Sequence, residues 1–287
     1  VMTDYQEMFP EGPDVMSVYG YQGFQAAVDA IKRSCTATDR EAFRDALATT
    51  NIDALGGKVI FDSPRDNPLG ENRSGVIVVG RATGRDATDI ELIPLAGEPA
   101  VVAPAGGEQR EAHFYEVNAL TGQSASYGTR SVHGVELAAK HVNDEGGFKD
   151  NCGNNYTVKL TVHDMANNRE QAISGLRKAA DDETVIVSLG STPSTGFVPM
   201  VPVAGQVGLA IIGMGTAAPI AEWNPYAFRV TLTTQAAVPP FMETMVARFD
   251  DFKRIALIYD ITQDAQRAEA EMIRDLADTY GYEVVAF

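Results

Sequence analysis

The sequence predicts an α/β protein built on doubly wound parallel sheets, and three observations predict it. From residue 112 onward, strand-like and helix-like segments alternate, the pattern of strands joined by helical crossovers. Two runs, TVIVSLG at 184–190 and LAIIGMG at 209–215, are short and almost continuously apolar, as strands are when a parallel sheet is covered on both faces. The segments RIALIYD, QRAEAEMIRDLADTY and YEVVAF within 254–287 then repeat strand, helix and strand once more.

Taken in chain order, 14–34 reads as a long helix, and 39–50 as a second with Asp39 as its N-cap. Short β segments follow: KVIFD at 58–62, GVIVVG at 75–80 and DIELIPL at 89–95, punctuated by SPRDNPLGEN. Residues 96–111, AGEPAVVAPAGGEQRE, read as a linker. AHFYEVNAL at 112–120 is strand-like. In the helix at 130–147, Val132, Val135, Leu137, Ala138 and Val142 make an apolar stripe, and Gly146 and Gly147 stop it. YTVKLTVHD at 156–164 alternates as a strand, and 168–182 is a helix opened by Asn168. YAFRV at 226–230 is a further strand, and a helix begins at Ala236.

Composition narrows the function. A net charge of −16 over 287 residues argues against a nucleic-acid binder, which needs a basic face for phosphates, and disfavours an anionic membrane surface. No stretch approaches the roughly 20 apolar residues that span a bilayer. The opening VMTDYQEMFP has neither the basic end nor the apolar run of a secretory leader. Cys35 and Cys152 are the only cysteines. They form one disulfide in an oxidising compartment or remain two free thiols, and spacing does not decide between these.

Catalytic signatures are thin, so no enzyme, metal or cofactor is expected. GQSAS at 122–126 lacks the last glycine of a nucleophile elbow, and no phosphate-cradling glycine motif occurs. His113, His133, His141 and His163 have no metal-binding spacing. His163 and Asp164 are the best acid–base pair, yet they read more simply as a polar strand terminus. Three strand-to-helix loops carry the ligand-binding potential: 121–127, 190–195 and 213–219. They are rich in hydroxyls and small residues and fall at strand carboxyl ends, where such folds bind ligands and helix N-termini favour anionic groups. Ser124 and Tyr127 lie in the first, Ser194 and Thr195 in the second, Gly215, Thr216 and Ala217 in the third. Ser, Thr and Gly also fill loops simply to cap helices and permit turns. Tyr19 and Tyr21 point in different directions on a helix, and Tyr19 is taken as the one lining the cleft. Trp223 reads as a packing residue.

These motifs resemble a known family. LTGQSASYGTRSVHGVELAAKHVNDEGG at 120–147 is similar to the opening of leucine/isoleucine/valine-binding-protein-like receptors, the type I periplasmic solute-binding proteins. The stretch 162–219 continues the likeness, 226–241 looks like the crossover into a second lobe, and 253–272 resembles that lobe's first strand–helix unit. Residues 9–34 and 39–67 are similar to the family's other end, so the resemblance implies a circularly permuted order in which 96–111 joins the old termini. It further implies lobe one at 1–55 plus 112–233 and an incomplete lobe two at 56–95 plus 236–287. The implied function is that of a periplasmic or extracellular receptor, binding an amino acid or related amide or carboxylate between the lobes and presenting it to an ABC permease. A sensory domain of the same fold and an engineered permuted biosensor or scaffold are the alternatives. By the resemblance, Ser194 meets a ligand carboxylate, Gly215 and Ala217 grip its charged ends with Thr216 adjacent, and Tyr127 lines the cleft. Ala265 stands where many members carry a stacking tyrosine, a departure that leaves the ligand open.

Overall fold

The computed structural model describes residues 1–61, 80–82, 90–92, 109–217, 224–249 and 251–287. Helices α1 (Met2–Met8), α2 (Val15–Ser34) and α3 (Arg40–Leu47) come first, followed by the antiparallel pair β1 (Asn51–Ala54) and β2 (Gly57–Ile60). Strands β3 (Gly80–Ala82) and β4 (Ile90–Leu92) form a second antiparallel pair. The body of the chain alternates β5 (Gln109–Asn118), α4 (Ala125–Asp144), β6 (Phe148–Lys149), β7 (Asn155–Asp164), α5 (Arg169–Asp181), β8 (Val185–Leu189), α6 (Ser194–Val207), β9 (Ala210–Gly213) and β10 (Ala227–Arg229). Then come α7 (Thr234–Arg248), β11 (Arg254–Ala256), α8 (Asp264–Asp275), α9 (Ala277–Tyr280) and β12 (Glu283–Ala286).

The main sheet has the order β10-β9-β8-β5-β7-β6. All its pairings are parallel except β6 with β7 at the edge. Helices cover both faces. Phe24, Ala27 and Ile31 of α2 pack with Phe114, Val135 and Val187 on one side. Leu176 of α5 and Phe197 and Met200 of α6 pack with Val117 and Ile211 on the other. β8 is buried along its whole length, which is why its sequence is apolar except at Ser188. In the last part of the chain, β11 and β12 pair in parallel, and Val238, Met242 and Tyr282 form a separate small core.

Caps set the helix boundaries. Asp14 opens α2, accepting from the backbone N–H of Met16 and Ser17. Asp39 and Asn168 cap α3 and α5 as the sequence predicts. α7 starts at Thr234, two residues earlier than expected, because the Thr233 hydroxyl accepts from Ala236 N. α6 is unheralded in the sequence because Pro199 and Pro202 fall inside it. Pro202 is exposed and Pro199 half-buried, three apart and on one flank, so the helix keeps its sheet-facing side intact. The linker expected at 96–111 lies, up to residue 108, outside the described residues, as do Trp223 and most of GVIVVG.

Three features tie α2 and α3 to α4 and to the strands around them. Gly20 of α2 faces Ser131 of α4 so closely that a Cβ would stand 2.2 Å from the Ser131 carbonyl oxygen. Reciprocally, a Cβ on Gly134 would stand 2.0 Å from the Ser17 carbonyl oxygen. The alternatives left open for the cysteines resolve as a disulfide, Cys35–Cys152, with Cα atoms 5.7 Å apart. Arg40 of α3 donates to the carbonyls of Val185, Ala180 and Asp182 at 3.0, 3.1 and 2.8 Å. Arg40→Ala strips these carbonyls of charge-assisted donors, and we expect a loss of roughly 2 kcal/mol in urea denaturation. An unchanged midpoint would mean that solvent replaces the guanidinium at no cost.

Candidate functional site

The carboxyl ends of β5, β8 and β9 lead into the three hydroxyl-rich loops, and polar side chains tie those loops together. Asp164, at the end of β7, accepts from Leu120 N at 2.9 Å, Thr121 N at 3.3 Å and the Thr121 hydroxyl at 2.6 Å. Burial pushes the Asp164 carboxyl up, but these bonds and one from Ala166 N outweigh it and hold the group below the usual carboxylate range. Asn118 joins the first loop to the second: its Oδ1 accepts from Ala119 N and Thr192 N, each at 3.1 Å. Its Nδ2 donates to the Thr192 hydroxyl at 3.0 Å. Ser194 joins the second loop to the third, accepting from Ala217 N at 3.1 Å. The third loop is held from behind. The carbonyl of Met214 accepts from the Thr231 hydroxyl at 3.0 Å, and that of Thr216 accepts from Thr234 N at 3.0 Å. Arg229, fully buried, also donates to Thr216 O at 3.3 Å.

Over these loops lies a cavity of about 510 Å³, within the size range of small-molecule sites. Val15, Met16 and Tyr19 of α2 form one wall, and Gln123, Ser124 and Tyr127 of the first loop form the next. Thr192, Pro193, Ser194, Met214 and Thr216 make the floor. Thr231, Leu232 and Ala237 close the side where the chain crosses away from the sheet, and Gln263, Ala265, Gln266 and Glu269 face the floor from α8 and its approach. Contacts at the rim span the two sides: Gln123 Nε2 donates to Asp260 at 2.6 Å, and Arg169 pairs with Asp264 at 2.6 Å. Among the described residues no Lys, Arg or His lines the cavity, and Glu269 is its one carboxylate, pushed up by desolvation.

Of the residues singled out in the sequence, Tyr19, Ser124, Tyr127, Ser194 and Thr216 come together on this cavity. Thr195, Gly215 and Ala217 do not line it. Thr195 is buried in the first turn of α6. A Cβ on Gly215 would stand 2.9 Å from the Ser194 backbone, and Ala217 takes part through its N–H to Ser194. Tyr21 points away, its hydroxyl 2.9 Å from His141 Nδ1 beside a second cavity of about 530 Å³. His163 lies against Gly175 of α5, off the cavity, with its pKa lowered first by burial and then by Lys178. Thr192 and Met214 sit inside motifs the sequence had marked. Val15, Met16, Thr231, Leu232, Ala237 and Glu269 carry no local signal, because tertiary packing alone brings them to the cavity. Among the described residues no cluster of His, Cys, Asp and Glu is placed to hold a metal ion, and no helix is long and apolar enough to cross a membrane.

Comparison with known proteins agrees with this geometry. The model of the family described as periplasmic binding protein matches residues 117–287. Among solved structures, a leucine-binding protein from Thermotoga maritima is similar at 17% identity and a TM-score of 0.50, over 61% of this chain and 48% of that one. A solute-binding protein of an ABC transporter from R. palustris, in complex with 4-hydroxybenzoate, is similar at 18% identity and a TM-score of 0.51, over 62% and 46%. The chain thus spans about half the length of the structures it matches. No curated protein matches it. The chain belongs to the periplasmic binding proteins, with the type I fold.

Proposed function

We propose that the chain is the receptor of an ABC-type uptake system, closing over a small polar ligand such as an amino acid or a related amide or carboxylate. One observation carries this: a small-molecule-sized cavity lies between loops at the carboxyl ends of a parallel sheet and the opposing α8. Hydroxyls on the floor offer hydrogen bonds without fixed charge, and apolar groups of Val15, Met16 and Leu232 accept a ligand's body. Closure of α8 onto the floor excludes water and strengthens those bonds. The disulfide supports a periplasmic or extracellular setting. The permuted order is part of the same proposal. It is supported by α2, from the segment resembling the family's late helix, meeting α4 backbone to backbone.

The test is a thermal melt against amino acids, amides, hydroxybenzoates, small carboxylates and polyamines. A ligand at about 100 times its Kd adds roughly 2.7 kcal/mol. No shift with any class would remove the receptor reading. With a ligand in hand, Ser194→Ala is expected to weaken binding roughly five- to tenfold. It also costs about 1 kcal/mol of stability, since Ala217 N loses its acceptor. Unchanged affinity would remove Ser194 from the site.

A further inference from the structure

Beneath the cavity floor sits a carboxyl that the binding site does not touch. Glu116 of β5 is completely buried, on the sheet face that α2 and α4 cover. Its Oε1 accepts from Asn118 Nδ2 at 2.9 Å and from the Ser131 hydroxyl at 3.3 Å. Its Oε2 has no hydrogen-bond partner among the described residues. An ionised carboxylate in this place leaves charge on an unsolvated oxygen, which the neutral acid avoids.

The two donors to Glu116 are each one step from the cavity. Asn118 holds Thr192 through both its amide atoms. The Ser131 hydroxyl also lies 3.4 Å from the Met214 sulfur, and the Thr192 hydroxyl 3.6 Å from the same sulfur. Thr192 and Met214 both line the floor. Ser131 has one hydroxyl proton and two acceptors for it. An ionised Glu116 holds that proton strongly, and a neutral Glu116, whose Oε1 remains only a carbonyl acceptor, holds it more weakly against the Met214 sulfur.

We propose that Glu116 is a proton-binding site that positions the floor of the cleft, so that its ionisation resets the surface a ligand meets. The consequence for ligand rests on the cleft being the binding site; the proton-linked movement of the floor does not. Burial raises the Glu116 carboxyl most, Asn118 and Ser131 draw it back and Glu136 of α4 adds to the rise, leaving it at about 7. His133, which pairs with Glu11, tempers Glu136 from the other side. A raised value in the folded state means that the stabilising proton is fully held below the unfolded value of 4.5 and lost as pH rises through about 7. Proton and ligand then affect each other's affinity by the same factor.

The experiment needs no ligand. Methyl-¹³C methionine and amide spectra are followed from roughly pH 5 to pH 9, with Met214→Leu assigning the Met214 methyl. The Met214 methyl and Thr192 amide are expected to titrate together with a midpoint near 7 in the wild type and to be flat in Glu116→Gln. Ser131→Ala, which leaves the carboxyl in place, is expected to suppress the Met214 response and spare that of Thr192. Flat signals in the wild type, or a titration that survives Glu116→Gln, would overturn the proposal. A titrating floor in a protein that binds none of the compounds above would overturn the receptor reading alone.

Discussion

Reducing the Cys35–Cys152 disulfide lowers stability by roughly 4 kcal/mol and the unfolding midpoint by roughly 10 °C. The bond closes a separation of 117 residues. In the chain-entropy account, a loop of about 100 residues is worth about 4.7 kcal/mol, drawn from the freedom of the unfolded chain. What the bond holds together in the folded chain is specific: the C-cap of α2 and the turn between β6 and β7. Asn151 N also donates to Lys32 O at 3.0 Å, so the two segments already meet without the sulfurs. Reduction should therefore leave the fold in place at room temperature and reveal itself on heating. Melts with and without dithiothreitol make the measurement, with Cys152→Ala as the genetic counterpart. Cys35 is the poorer choice because its backbone is left-handed, at φ 60°, and its replacement mixes in a cap effect. An unmoved midpoint would show that the bond either fails to form or constrains little.

Gly134→Ala is expected to destabilise the protein by roughly 2 kcal/mol or more. Helix propensity alone predicts the reverse, a gain of about 1 kcal/mol for alanine over glycine in a helix interior. The packing decides the sign. A Cβ at 2.0 Å from the Ser17 carbonyl meets backbone, which no rotamer change can move aside, so α2 and α4 must separate. That separation disturbs Phe24, Ala27 and Val135 together. Urea denaturation gives the answer, and a more stable variant would show that α2 does not sit against α4 in solution. The result bears on the proposed permuted order, because α2 precedes, and α4 lies within, the segment matching the family.

The alternation of strands and helices after residue 112 is legible because each element is amphipathic or buried at its own period, and the caps Asp39 and Asn168 act locally. α6 is hidden because its prolines advertise a break while its sheet-facing residues, Phe197 and Met200, bury normally. β1 and β6 are too short to show a period. The disulfide is a matter of proximity across the fold, which two distant cysteines do not reveal. At the cavity, Ser124, Tyr127, Ser194 and Thr216 belong to loops whose composition marks them. Their neighbours Thr195 and Ala217 face away from the cavity and Gly215 has no side chain to present, a difference set by backbone placement that composition does not reveal. Val15, Met16 and Leu232 are ordinary apolar residues in sequence, and only the assembled fold makes them a wall.

The separation between a sheet buried on both faces and the loops at its carboxyl ends also bears on how such a protein diversifies. Tyr127, half exposed, and Gln263 and Gln266 contribute nothing to the main cores. On the proposed receptor reading, replacing them would alter what is recognised without touching the main cores, so ligand preference would be free to drift through descent. Asn118 is the exception. It is buried at the strand end and bonds the first loop, the second loop and Glu116 at once. A lineage that changes its ligand by moving this residue moves its foundation too, which makes Asn118 the position at which new specificity and foldability compete.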